Sequence, residues 1–379
     1  MGELIRYAAA HEIGHTLGLK HNYRASYAFP VDSLRSPTFT KKYGTAASIM
    51  DYARNNYIAQ PGDKVTSLTP PILGTYDYFS IKWAYQPIYS VASPQKEQAV
   101  LDQWIADRSH DDMYLFGTKN GMGDGTLDPS VLSESLGNDV IKAGKYGASN
   151  TKLIMDNLVE WTGANQYGTL NLKGMYEAVL KQYNQYFKHA EVRLGGMYEF
   201  NFKSEKHPNK LKAVSRKKQK EALDFMMDEL LSQYDWMTTE KLTSRMGSLD
   251  QNILKSQVGK VNNLIRRDVL VRMFTCSNMS KDPYYVSEYL SDISNHLFDV
   301  SNKKQSVHWM RNMQVEYVKA LQKLLKENNA DGGHSFNNVT MADVKAELDN
   351  IHSIASKKAE KGNATLQKHF TYLKYIIEG

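Results

Sequence analysis

One stretch constrains this chain more than any other: Ala10-His11-Glu12-Ile13-Gly14-His15-Thr16-Leu17-Gly18-Leu19-Lys20-His21. It reads H-E-x-x-H-x-x-G-x-x-H. Residues four apart on a helix share one face, so His11 and His15 point the same way. Two imidazoles so placed can grip one metal ion, with Glu12 beside them to act on a water at that ion. Gly18 lacks a Cβ and can take the left-handed conformation that ends a helix in a sharp turn. The turn returns His21 as a third ligand. Three neutral nitrogens and a position left for water form the ligand pattern of catalytic zinc, one Zn2+ per chain. A pattern this long arises by chance at roughly 10⁻⁴ or less on such a composition. Histidines that merely face solvent are the competing reading.

The remaining sequence bounds the setting. With 379 residues, the chain can hold two or three domains and a sizeable core. Hydrophobic residues at 41% and aromatics at 11% are globular values and argue against disorder. No apolar run reaches the roughly 18 residues of a membrane-spanning helix. Cys276 is the one cysteine, which rules out an intrachain disulfide and reads as a small buried apolar side chain. The net charge is +6 and the densest basic run is 203–220. That run lacks interleaved aromatics and any nucleic-acid motif, so it reads as a solvated face, with no nucleic acid among the partners. No leader peptide is visible. The oligomeric state is left open.

Along the chain, residues 3–19 form the first helix, with Leu4, Ile5, Ala8, Ala9, Ile13 and Leu17 as its apolar face. Residues 22–47 read as a long irregular segment packed beneath the histidines. Thr69-Pro70-Pro71 opens a helix running to Tyr85, and Ser93-Pro94 opens another with Trp104 in its core face. Residues 107–128 are a glycine- and aspartate-rich loop whose spacing fits no calcium loop. Further helices are expected at 130–142, 150–163, 170–189, 215–235, 250–275, 283–299, 306–328 and 340–378, with a short strand near Met197. Asn328 to Gly333 reads as a loop. The fold class is mainly α, divided at 1–110, 111–205 and 206–379. The histidines beyond His21 show no paired spacing and are excluded as ligands.

The opening string matches the metzincin signature, and Ser48-Ile49-Met50-Asp51-Tyr52 resembles that clan's methionine-containing turn. By that resemblance Met50 is a hydrophobic floor under the three histidines. Tyr52 stands where related families carry a tyrosine that contacts the zinc or the oxyanion. Asp77, Ile81 and Tyr85 fall at i, i+4 and i+8, as in the helix after this turn in many metzincins. The run His21-Asn22-Tyr23-Arg24-Ala25-Ser26, with Asp128-Pro129 and Leu136-Gly137-Asn138-Asp139, is similar to a bacterial family of large exported proteins, the Met-zincins. The sharp motifs cover residues 1–90 and the similarity loosens toward 230.

The resemblance implies a zinc endopeptidase acting on peptide or protein substrates. Zinc would be held by His11, His15 and His21, with Glu12 as general base, Tyr52 as oxyanion donor, and Gly18 and Met50 shaping the site. It implies an exported protein, periplasmic, cell-surface or extracellular. It also implies an α+β complete protein in which an upper subdomain with a sheet precedes the active-site helix. That makes this chain, on expectation, a fragment of a larger protease, with its own activity an open question. Two other readings stay open at this stage: a non-catalytic helical binding or scaffold module, and a zinc amidase acting on a non-peptide or cell-wall amide.

Overall fold

The computed structural model describes residues 2–53, 55–65, 72–118, 128–164, 170–200, 211–298, 307–330, 338–361 and 363–379. Among these the chain is mainly α, with one two-stranded sheet of β1 (Met197–Glu199) and β2 (Leu211–Ala213). It divides into two compact units, one of residues 1–153 and 180–212, the other of residues 154–179 and 213–379.

The first unit holds α1 (Gly2–Thr16), α2 (Pro37–Tyr43), α3 (Thr75–Tyr85) and α4 (Pro94–Arg108). It also holds the first part of α5 (Val140–Trp161) and the last part of α6 (Leu170–Glu191). Its core is built from the segment that reads as irregular. Ala25, Phe29, Val31, Leu34, Ala46 and Ala47 pack with Ala53, Ile58, Leu136 and Ala143. Residues 22–47 are more ordered than expected: two 3-10 turns precede α2, which Ser36 caps through its hydroxyl with Pro37 in the first turn. The same Ser-Pro device opens α4 at Ser93-Pro94. There the expected core face is absent: α4 buries no residue fully, and Trp104 is half-buried under the Lys82 ammonium.

No helix spans 130–142. Glu134 and Gly137 both have left-handed backbones, and Gly137 and Asn138 donate to the carbonyls of Ser26 and Phe29 rather than to a helix. Asp139 then accepts from the Ile141 and Lys142 amides and caps a single long α5. The Thr69-Pro70-Pro71 helix opening, most of the glycine-rich loop, and Lys203, Lys206 and Lys210 of the basic run lie outside the described residues.

The second unit is helical: α7 (Arg216–Met237), α8 (Glu240–Met246), α9 (Asp250–Leu264), α10 (Arg267–Asn278), α11 (Val286–Phe298), α12 (His308–Ala330), α13 (Asn338–Ala359) and α14 (Ala364–Glu378). Met310, Met313, Tyr317 and Leu321 on α12 are fully buried, as helical spacing requires. Two expected helices are broken. The 250–275 span breaks at Arg266, whose backbone is extended, and the 340–378 span restarts at Asn363, which caps α14. Asn328 to Ala330 belong to α12 rather than to a loop.

Candidate metal centre

The site starts from the end of α1. The amide of Leu19 donates to the Gly14 carbonyl at 3.1 Å and that of Gly18 to His15 at 3.0 Å, with Gly18 at φ 82°. That pair of bonds around a left-handed residue is the Schellman ending, and it is why glycine is needed there. Beyond the turn the Asn22 amide donates to the Met50 carbonyl at 3.0 Å, which fixes the return of the chain beside His21. Tyr85, the last residue of α3, donates its hydroxyl to the Leu17 carbonyl at 2.9 Å and satisfies one free acceptor of the helix end.

The three histidines converge. Ring centroids are 4.7 Å apart for His11 and His15, 4.7 Å for His15 and His21, and 5.2 Å for His11 and His21. One nitrogen from each lies within 4.8 Å of the others, a group that could hold a metal ion. The outer nitrogens are occupied. Nδ1 of His11 lies 2.7 Å from the Ile49 carbonyl and Nδ1 of His15 lies 2.9 Å from the Leu19 carbonyl. A carbonyl only accepts, so both Nδ1 atoms carry the proton and both Nε2 atoms present a lone pair. Nε2 of His11 is buried and has no hydrogen-bond partner among the described residues. Nε2 of His15 and of His21 lie 3.1 Å apart. Two nitrogens on a tetrahedral zinc at about 2.0–2.1 Å would be separated by roughly 3.3 Å. Donor type, spacing and the orphaned nitrogen all fit zinc.

Beneath the helix sits the Met50 turn. Met50 is fully buried, and a Cβ added at Gly14 would meet its sulfur at 2.5 Å. A side chain there would have to push the Met50 sulfur aside. The turn is pinned by Asp77, which is 3% exposed near the start of α3. Its carboxylate accepts from the Ser48 hydroxyl at 2.6 Å, the Ile49 amide at 2.9 Å and the Gly74 amide at 2.7 Å. Burial raises the Asp77 pKa, against the lowering effect of these hydrogen bonds. Asp51 is buried as well and accepts from the Ser26 amide at 2.7 Å; desolvation pushes it up to about 7. The Asp51 carbonyl accepts from the Tyr7 hydroxyl at 2.5 Å, tying α1 to the turn one helical turn before His11.

Tyr52 is half-exposed, with its ring 4.4 Å from that of His21 and stacked 5.3 Å from that of His11. Glu12 is exposed on the same turn of α1 as His11. Burial lowers the His21 pKa, as do His15 and His11, which favours the neutral ring.

The face of α1 that sequence assigns to a core is turned outward. Leu4, Ile5, Ile13 and Leu17 are exposed, and His11 and Gly14 are the residues α1 buries. The contacts of α1 with the Met50 turn run through the histidine and glycine side. Tyr7, Asn22, Tyr23 and Asp51 were not predicted as site residues. Tyr7 had a usable signal, since it precedes His11 by four residues and shares its face.

The Met-zincin family model matches residues 1–305 of the chain. No curated protein and no solved structure matches.

Proposed function

The chain belongs to the Met-zincin family of metzincin-clan zinc metallopeptidases, and from that premise we propose that it is an endopeptidase with Glu12 as its general base. Zinc would be held by Nε2 of His11, His15 and His21. When bound it supplies Lewis acidity that brings the pKa of water toward neutrality. Glu12 takes the proton from the attacking water and delivers it to the leaving amide nitrogen. The Tyr52 hydroxyl donates to the oxyanion that develops on the scissile carbonyl. Met50 and Gly14 keep the floor apolar and close-packed, and Gly18 sets the turn that aims His21.

The observation that carries this reading is the convergence of three imidazoles around the orphaned, buried Nε2 of His11. We also read the protein as exported. The outward apolar residues of α1, with Ile5 62% and Ile13 58% exposed, support a further cleft wall packing there. None of the described helices is long and apolar enough to cross a membrane.

The test is a metal assay with hydrolysis beside it. Protein prepared without added zinc should carry about one zinc per chain, lost in His15→Ala. Glu12→Gln should keep the zinc and lose peptide hydrolysis. Zinc absent from the wild type would end the peptidase reading. Casein and peptidoglycan fragments compared side by side separate an endopeptidase from a cell-wall amidase.

A further inference from the structure

The third histidine differs from the other two in what holds it. His11 and His15 give their Nδ1 protons to backbone carbonyls, which can only accept. In the neutral ring their Nε2 atoms therefore present lone pairs. Nδ1 of His21 instead lies 3.2 Å from the hydroxyl of Tyr23, and a phenol can accept or donate. The backbone on either side of Tyr23 is anchored. Its neighbours Asn22 and Arg24 are both buried, and Asn22 donates to the Leu115 carbonyl and accepts from the Gly117 amide. The Tyr23 ring lies 5.4 Å from that of His21 and 5.7 Å from that of Tyr52.

We propose that Tyr23 is the positioning residue of His21, its hydroxyl serving both tautomers of that ring. With a cation on Nε2, Nδ1 carries the proton and Tyr23 accepts it. Without one, Nε2 can carry the proton and give it to the lone pair of His15 Nε2, 3.1 Å away, while Tyr23 donates to Nδ1. The exchange balances: one proton leaves Nε2 for solvent, one from solvent joins Nδ1, the phenol hydrogen rotates, and the ring stays neutral. His21 is thereby held in place through loading and release of the metal. This rests on the reading of His21 as a ligand.

The experiment titrates the metal-stripped full chain with zinc against a competing chelator, for the wild type and Tyr23→Phe. Phenylalanine keeps the ring and removes the hydroxyl alone. Affinity should fall about 10- to 100-fold, the scale of losing the outer partner of a ligating histidine. Imidazole nitrogen NMR of the wild type gives a second readout. His21 should pass from the Nε2–H to the Nδ1–H tautomer on zinc loading, while His11 and His15 stay Nδ1–H in both states. That arm needs no variant and stands even if Tyr23→Phe fails to fold. A wild type that binds no zinc sinks the metal-site reading, and this proposal with it. A wild type that binds zinc, with Tyr23→Phe within about twofold of it or His21 as Nδ1–H in both states, overturns the role of Tyr23 alone.

Discussion

Asp77→Ala is the perturbation that best separates support of the site from the site itself. The hydrogen bonds of Asp77 go to Ser48, Ile49 and Gly74 rather than to a histidine, yet it holds the turn whose Ile49 carbonyl orients His11. Removing the carboxylate strands the buried amides of Ile49 and Gly74; the Ser48 hydroxyl can rotate, but a backbone N–H cannot. A buried donor without an acceptor costs about 1–3 kcal/mol, so two cost about 2–6 kcal/mol. Burial disfavours the charged form of Asp77, and its removal recovers part of that. A net loss of about 2–4 kcal/mol follows. This is below the roughly 5–15 kcal/mol that holds a domain folded. The chain should therefore still fold, with the turn loosened and zinc held about 10- to 100-fold more weakly. Amide hydrogen exchange at Ile49 and Gly74, with a zinc titration, reads both effects. Asp77→Asn keeps one acceptor oxygen and should fall between alanine and the wild type. Unchanged exchange and unchanged zinc affinity in Asp77→Ala would refute the reasoning, because the turn would then be held by something else.

Other variants probe separate links. Tyr52→Phe should lower turnover about 100-fold with zinc content unchanged, the scale of one lost oxyanion donor; full activity would leave Tyr52 a packing role only. Asp51 has a folded pKa raised to about 7 from 3.8, so its contribution to stability is present in acid and is lost as pH rises from about 4 through 7. Asp51→Asn should therefore gain stability on the wild type across that window, by an amount on the order of 4 kcal/mol, and an identical pH profile would disprove it. Gly14→Ala sets a helix-propensity gain of about 1 kcal/mol against about 1–3 kcal/mol of overpacking on Met50; a lowered melting temperature and weaker zinc binding are expected. Cys276 is fully buried and its thiol pKa is raised by burial, so a thiol reagent should label it only after denaturation.

Helices were legible where a long apolar stripe had one burial face. The stripe through Met310, Met313, Tyr317 and Leu321 is such a case. Their ends were less legible, because ends are decided by single residues acting through the backbone. Asp139 starts α5, and Arg266 separates α9 from α10 by adopting one extended conformation that arginine carries without any compositional mark. The segment 22–47 misled in another way. It has no period of its own, yet Phe29, Val31 and Leu34 form core by packing against distant Ala53, Ile58 and Leu136. Such burial is set by tertiary partners that no local window contains.

The centre divides along the same line. Its proposed ligands follow from helix periodicity and one left-handed glycine, both local, so spacing alone points to His11, His15 and His21. Their orientation depends on acceptors that spacing cannot show. Ile49 contributes a backbone carbonyl, which any residue would supply, so its identity carries no signal. Leu19 does the same for His15. Tyr23 is the exception, a side-chain partner two residues from its histidine and therefore visible in sequence once the question asked is what the outer nitrogen bonds to. Carbonyl partners lock a tautomer and a phenol does not. On the proposed assignment the first two ligands resist sequence change at their partner positions, while the third depends on one hydroxyl. Replacing residue 23 should consequently move metal affinity more than replacing residue 19 or 49 with another apolar side chain of similar size.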